Sequence, residues 1–297
     1  MYLDPPAQAV REAVARALAE DVLPLGDLSA SLVTPDVSAR FALVARREGV
    51  VAGGLCATEA FSSLEPRISV DWLSPDGTAV IPGHQIAQVE GPLAPILTAE
   101  RTALNFLCHL SGIATLTRTF VDAARSENPS TRILDTRKTT PGLRSLEKAA
   151  VRAGGGTNHR GNLSEGVMVK DNHLAGISIT DAVITARSMW PGRMVEVECD
   201  RVSQLEEALA SGASVVMLDN MNPDQVAECV RLVRAHKNSG NVLVEVSGNV
   251  TIGNVGLYAA AGADLISVGA LTHSAPTLDI GLDLLGITDG SATGGDA

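Results

Sequence analysis

Aromatic residues are scarce in this chain: two Trp, two Tyr and four Phe make up 3% of 297 residues. A core with so few rings is filled by Val, Leu, Ile and Ala, and short runs of these suit parallel sheets covered by helices. Cysteine is scarce too. Cys56, Cys108, Cys199 and Cys229 form no CxxC pair and no cysteine–histidine ladder of zinc spacing. That excludes the common structural zinc sites and fits a reducing, cytoplasmic setting. Positive charge is in deficit, with 23 Lys and Arg against 34 Asp and Glu, a formal net charge of −11. Such a surface repels nucleic acid and anionic lipid at long range, so neither is expected as a partner. No apolar run reaches the length of a membrane span. The opening MYLDPPAQAV lacks the basic and apolar regions of a secretory leader. Walker loops, strand-linked GxGxxG, HExxH and GxSxG are absent.

What is present falls into two textures. Near the start, Val10, Val14 and Leu18 recur every four residues, which predicts a helix capped by Asp4 with Pro5 in its first turn. From Ala39 to Gly91, short β-like runs broken by Gly, Pro and Asp-Gly predict a small α+β unit with an antiparallel sheet. A long helix is predicted from Thr98 to Arg125. Beyond it the pattern is regular. Six β-branched runs begin at Arg132, Gly166, Met194, Val215, Leu243 and Leu265, and helical segments separate them, for example at 180–188, 203–209, 223–235 and 252–261. This alternation predicts βα units in a parallel sheet, closed or nearly closed into an α/β barrel, with a doubly wound sheet as the competitor. The Gly/Ser/Ala-rich tail from Gly290 to Ala297 reads as frayed.

Each of the six runs ends in polar or small residues: Asp135, Arg137 and Lys138; Lys170; Glu198; Asp219; Ser247 and Gly248; Gly269. Barrel strands converge at their C-terminal ends, where active sites sit. One polar strand end is only an exit to solvent, but six in register point to a site. Glu196 and Glu198 share a face of their strand. Both need partners, either nearby Lys and Arg or a hard cation such as Mg²⁺ at Glu198 and Asp219. From Arg132 to His173 there are eight Lys/Arg against four acids, so this window is +4 while the rest of the chain is −15. A cationic zone in an acidic protein reads as a pocket for a small polyanion. Arg144, Lys148 and Arg152 repeat at helical spacing and read equally well as a solvated face. Arg137, Lys138, His159, Arg160 and Lys170 share no helix. The loop from Gly154 to Asn162 is glycine-rich and suits backbone amides approaching a ligand. Glycines at 248 and 269, with His273 close behind, suit phosphate against backbone N–H groups. His109 reads as packed within its helix, and His84 and His236 as surface residues.

The stretch ILDTRKTTPGLRSLEKAAVRAGGGTNHRGNLSEGVMVKDNH closely resembles the core signature of the quinolinate phosphoribosyltransferases. EDVLPLGDLSA, ARREGVVAGG, ERTALNFLCHLSGIAT, VEVECD, MLDNM, LVEVSGN and ISVGALTHSAPTLDIGLDL extend the resemblance over nearly the whole chain. Ser29, where threonine is common, and Cys199 after the second glutamate are small departures. The resemblance implies an N-terminal α+β domain, residues 1–112 joined by the returning segment 274–297, and an open parallel α/β barrel over 113–273. It implies transfer of phosphoribosyl from 5-phosphoribosyl-1-pyrophosphate to quinolinate with decarboxylation, in a Mg²⁺-dependent homodimer. It assigns the quinolinate carboxylates to Arg137, His159, Arg160 and to Arg101 donated by the partner chain. Lys138 and Lys170 bridge toward the ribosyl donor, Glu198 and Asp219 arrange the metal and ribose, and Ser247, Gly248, Gly269 and His273 receive phosphates. Two alternatives stand beside it: a related phosphoribosyltransferase for another acid or heterocycle, and a non-catalytic metabolite-binding barrel.

Overall fold

A computed structural model describes residues 4–237 and 242–289; the sequence-predicted fraying of the last eight residues lies outside them. Two compact units divide the chain. The first comprises residues up to Leu116, Thr139–Gly155 and the chain from Ser274 onward; the second comprises Thr117–Lys138 and Gly156–His273. This grouping places 139–155 with the first unit, where the sequence reading had it in the barrel.

In chain order the elements are α1 (Ala7–Val22), β1 (Val37–Ala45), β2 (Gly49–Val50), α2 (Gly54–Leu64), β3 (Ser69–Trp72), β4 (Ala79–Val80), β5 (Gln85–Pro92) and α3 (Leu93–Glu127). Then come β6 (Arg132–Leu134), α4 (Arg144–Ala153), β7 (Val167–Val169), α5 (Ile179–Met189), β8 (Val195–Cys199), α6 (Val202–Ser211), β9 (Val215–Asp219) and α7 (Pro223–Ala235). The chain closes with β10 (Leu243–Ser247), α8 (Val255–Ala260), β11 (Leu265–Ser267), α9 (Ala270–His273) and β12 (Ile280–Asp289).

The first unit holds an antiparallel sheet of order β12-β1-β5-β3. Helix α1 starts later than predicted. Pro6, not Asp4, precedes its first residue, and no side chain caps it. Pro5 stands before another proline, a position that disfavours helical backbone, so the helix can begin only beyond the pair. Helix α2 escaped the sequence reading because its cap is remote. Asp76 accepts the amides of Gly53 (2.9 Å) and Gly54 (3.0 Å). Gly53 sits at φ 99°, where a Cβ would lie 2.9 Å from the Leu110 side chain. The returning segment runs close against α3: a Cβ on Gly112 would stand 2.1 Å from the Pro276 carbonyl oxygen, and the Leu278 amide bonds Cys108 O. Helix α4 is no solvated face. Lys148 is 6% exposed, and Arg152 donates to Asp4 O at 3.2 Å.

The second unit is built on a parallel six-stranded sheet of order β6-β11-β10-β9-β8-β7, the open α/β barrel. All six predicted strands are in it. Thr157 adds a parallel bridge to Leu134 on β6. Local signals set the helices. Asn222 and Gln225 form a reciprocal capping box ahead of α7, with Pro223 in its first turn. Gly212, at φ 86°, ends α6. Among the described residues, no helix is long and apolar enough to cross a membrane.

Candidate active site

Side chains alternate along a strand, so one face of the sheet collects every second residue. On one face, Met168 is followed by Lys170, Glu196 by Glu198, Met217 by Asp219, Glu245 by Ser247, and Ser267 by Gly269. In the last four pairs the earlier position is the deeper one. Glu196 and Glu245 are each 1% exposed, Met217 4% and Ser267 5%. Of the later positions, Lys170, Glu198, Asp219, Ser247 and Gly269 are all half-exposed. The hydrophobic runs thus lift a polar set to the C-terminal mouth of the barrel and bury a second polar set beneath it.

A cavity of about 340 Å³ opens at that mouth, lined by Arg137, Lys138, His159, Arg160, Lys170 and Ser247, together with Thr136, Met168, Met217 and Ser267. Two larger hollows occur among the described residues, about 490 Å³ beside Trp190 and about 390 Å³ beside His109. Volume does not single out the site; convergence of four cations does. Burial holds the Arg160 guanidinium below its ordinary pKa, and the nearby Arg137 charge adds to this. A dianion entering the cavity relieves that repulsion.

The remaining predicted residues fall around this cavity with one exception. Glu198 is bonded to the Lys170 ammonium. Asp219 pairs in register with Ser247 and accepts the Asn220 side-chain amide at 2.6 Å. Gly248 adopts φ 88°, and a Cβ there would come within 2.3 Å of Asn220 Oδ1, so only glycine fits. A Cβ on Gly269 would sit 3.1 Å from His273 Nε2 and 3.3 Å from Lys138 Cδ, which brings these three residues together. Thr272 Oγ1 donates to Lys138 O at 2.7 Å. Arg101 is the exception: it is an exposed residue of α3 in the first unit. His109 lies in that unit as well, partly exposed and 3.0 Å from buried Glu147.

Two expectations change. Most amides of the glycine-rich loop are already taken by the protein. Those at Gly154, Gly155, Thr157, His159, Arg160 and Gly161 all donate within the protein. Asp135, which is fully buried, clamps this loop: it accepts the His159 amide at 2.9 Å and the Asn158 side chain at 2.5 Å. Glu196 does not pair with Lys or Arg. Its Oε2 lies 3.2 Å from His159 Nε2, and Glu245 Oε2 lies 3.4 Å from the same nitrogen. His159 itself is only 8% exposed at its side chain. Glu245 and Ser267 were not marked as site residues by the sequence reading, and Asp135 was marked only as a polar strand end. The alternation in LVEVS carried the signal for Glu245.

Charge in this trio is shared. Burial acts to lower the His159 pKa, but hydrogen bonds and charge from Glu196 and Glu245 outweigh it and raise it to about 10. Burial also pushes the Glu196 carboxyl up. The Arg160 amide donates to His159 Nδ1 at 2.7 Å.

An open α/β barrel with a cationic cavity at the C-terminal ends of its strands defines an enzyme class that handles anionic small molecules. Comparison with known proteins narrows the class. The chain matches the models of the quinolinate phosphoribosyl transferase N-terminal domain over residues 27–111 and C-terminal domain over 113–283. It is 40% identical over 291 residues to the nicotinate-nucleotide pyrophosphorylase [carboxylating] of Mycobacterium leprae, covering 96% of this chain and all of that one. It is 43% identical over 262 residues to the probable enzyme of that name from Bacillus subtilis, with 87% and 88% covered. The nicotinate-nucleotide pyrophosphorylase structure from Francisella tularensis superposes with a TM-score of 0.88 at 37% identity, covering 95% of this chain and 98% of that one. The chain belongs to the quinolinate phosphoribosyltransferase family.

Proposed function

We propose that this protein transfers the phosphoribosyl group of 5-phosphoribosyl-1-pyrophosphate to quinolinate with loss of CO₂, forming nicotinate mononucleotide and pyrophosphate for NAD biosynthesis. The observation that carries the reading is the convergence of Arg137, Lys138, Arg160 and Lys170 on one cavity in a chain of net charge −11. Quinolinate brings two carboxylates and its co-substrate a monophosphate and a pyrophosphate, so a site for both needs several cations close together. Arginine forks suit carboxylates, and lysine serves as a point charge for phosphate.

In the reaction, the pyridine nitrogen bonds to C1 of the ribose as the C1–O bond to pyrophosphate breaks. The C2–carboxylate bond then cleaves; CO₂ leaves, its electron pair stays on the ring beside the cationic nitrogen, and a proton takes its place. Arg137, His159 and Arg160 hold the quinolinate carboxylates, joined by Arg101 of a partner chain in a homodimer. Lys138 and Lys170 orient the ribosyl donor. Glu198 and Asp219 stand by the ribose, where carboxylates stabilise positive charge developing at C1. Ser247, Gly248, Gly269 and His273 receive phosphate oxygens.

Magnesium suits this donor set. Glu198 Oε2 is engaged by Lys170 and Asp219 Oδ2 by Asn220, and each carboxylate offers a second oxygen, the ligand type a hard cation prefers. Bound there, the ion would offset charge on departing pyrophosphate. A cytoplasmic location accords with the free cysteines.

The test is turnover by purified protein with both substrates and Mg²⁺. The expected result is equal amounts of CO₂, pyrophosphate and nicotinate mononucleotide, with nicotinate inert in place of quinolinate. Activity on nicotinate alone, or binding without turnover, overturns the reading.

A further inference from the structure

Strand β6 ends at Leu134, and its backbone pairing with the glycine-rich loop stops one residue later. The Thr157 amide donates to Ile133 O at 2.8 Å, and the Asp135 amide to Thr157 O at 3.3 Å. From there the Asp135 side chain takes over. Its Oδ2 accepts the Asn158 side-chain amide and its Oδ1 the His159 backbone amide. A carboxylate at 0% exposure is tolerated only where such donors replace water. The next two side chains reach the cavity. His159 and Arg160 both line it, but each has different neighbours. His159 Nε2 faces Glu196 on β8 and Glu245 on β10. The Arg160 guanidinium donates to Gly166 O at 3.1 Å and contacts Met168 Sδ on β7 at 3.4 Å. A slip of one residue along this loop would exchange an imidazole for a guanidinium, so the register of the backbone is part of the chemistry of the site.

We propose that Asp135 and Asn158 are positioning residues for quinolinate: their contact locks the register of the loop, so that His159 and Arg160 meet the substrate's carboxylates as a fixed pair. The proposal deepens the functional reading above and rests on it for the identity of the substrate. Asp135 is closed off from water and acts through the loop. Lys138, Lys170, Glu198 and Asp219, assigned to the ribosyl donor and the metal, lie outside this loop, so loosening the lock separates the two substrates. Such a lock matters because a misplacement of about 1 Å at a binding group costs on the order of 10²-fold in rate or affinity.

The test compares Asp135→Ala with Asp135→Asn and adds the milder Asn158→Ala. In Asp135→Asn one oxygen still accepts the His159 amide, and the Asn158 amide can turn over to accept from the new NH₂ group. With Asp135→Ala, the KM for quinolinate should rise about tenfold or more, while kcat and the KM for the ribosyl donor stay within about threefold. Asp135→Asn should restore most of the quinolinate KM, and Asn158→Ala should raise it by about threefold or more. Should Asp135→Ala not fold, Asn158→Ala carries the test. A loss of kcat with both KM values unchanged marks a loss of active protein and overturns the proposal, as does an unchanged quinolinate KM in folded Asn158→Ala protein. A second readout needs no substrate. The His159 amide of the wild type should exchange with deuterium at least about tenfold more slowly than in an unstructured peptide, and Asn158→Ala should speed that exchange. An unprotected His159 amide in the wild type overturns the lock. If the wild type fails to release CO₂ from quinolinate, the functional reading falls while the exchange rates still decide the lock.

Discussion

The same strands carry two sets of polar residues that differ in depth by one alternation. Glu198, Asp219 and Ser247 stand at the half-exposed mouth, while Glu196, Glu245 and Ser267 are buried below them. The upper set faces solvent and substrate, so its charge is free to act on a ligand. The lower set is removed from water, where an unpaired carboxylate is costly, and so each member is tied to a protein partner. Two chemically identical glutamates in VEVEC thus acquire different tasks from position alone. Glu198 meets a flexible lysine, and Glu196 meets an immobilised ring.

The largest way to break this comparison is to remove a cation from the mouth. Lys138→Ala or Lys170→Ala should lower turnover by roughly 10²–10³-fold, the scale for losing one preorganised charge, while the melting temperature holds. Steady-state assays and thermal melts on the same preparations check it, and near-normal rates refute the role given to these lysines.

A smaller and sharper test sets the two depths against each other. Glu245→Ala strips a partner from a buried network and should cost about 3–5 kcal/mol of stability. Glu198→Gln should cost less than about 1 kcal/mol, since a partly exposed pair contributes little, yet lose most of its turnover. Denaturant titration of both variants decides this; equal destabilisation would erase the distinction.

The smallest effect concerns residues that belong to neither set. Cys199 lies on the strand of both glutamates with its side chain turned to the opposite, buried face. Burial pushes its thiol, and that of Cys56, up to about 12. Both stay protonated near neutral pH, so alkylating reagents at pH 8 should leave them unmodified in the folded protein and label them only after denaturation. Mass spectrometry of the labelled peptides checks this.

Much of this was legible in the sequence. The six strand runs were readable because each is short, β-branched and polar-ended, and the cations were readable because they interrupt an acidic chain. What stayed hidden depends on contacts far apart in the chain. Helix α2 is capped by Asp76, more than twenty residues on. The loop amides turn inward to partners such as Asp135 and Ile133. The carboxylates around His159 come from two strands, Glu245 lying 86 residues away in the chain. Residue type announces charge, but only the fold decides whether that charge faces a ligand or another side chain.

The most direct measurement is a crystal structure with quinolinate bound. The account predicts the two ring carboxylates within hydrogen-bonding distance of the Arg137 and Arg160 guanidinium groups, in the cavity at the C-terminal mouth of the barrel. Quinolinate lodged in the hollow beside Trp190 would contradict it.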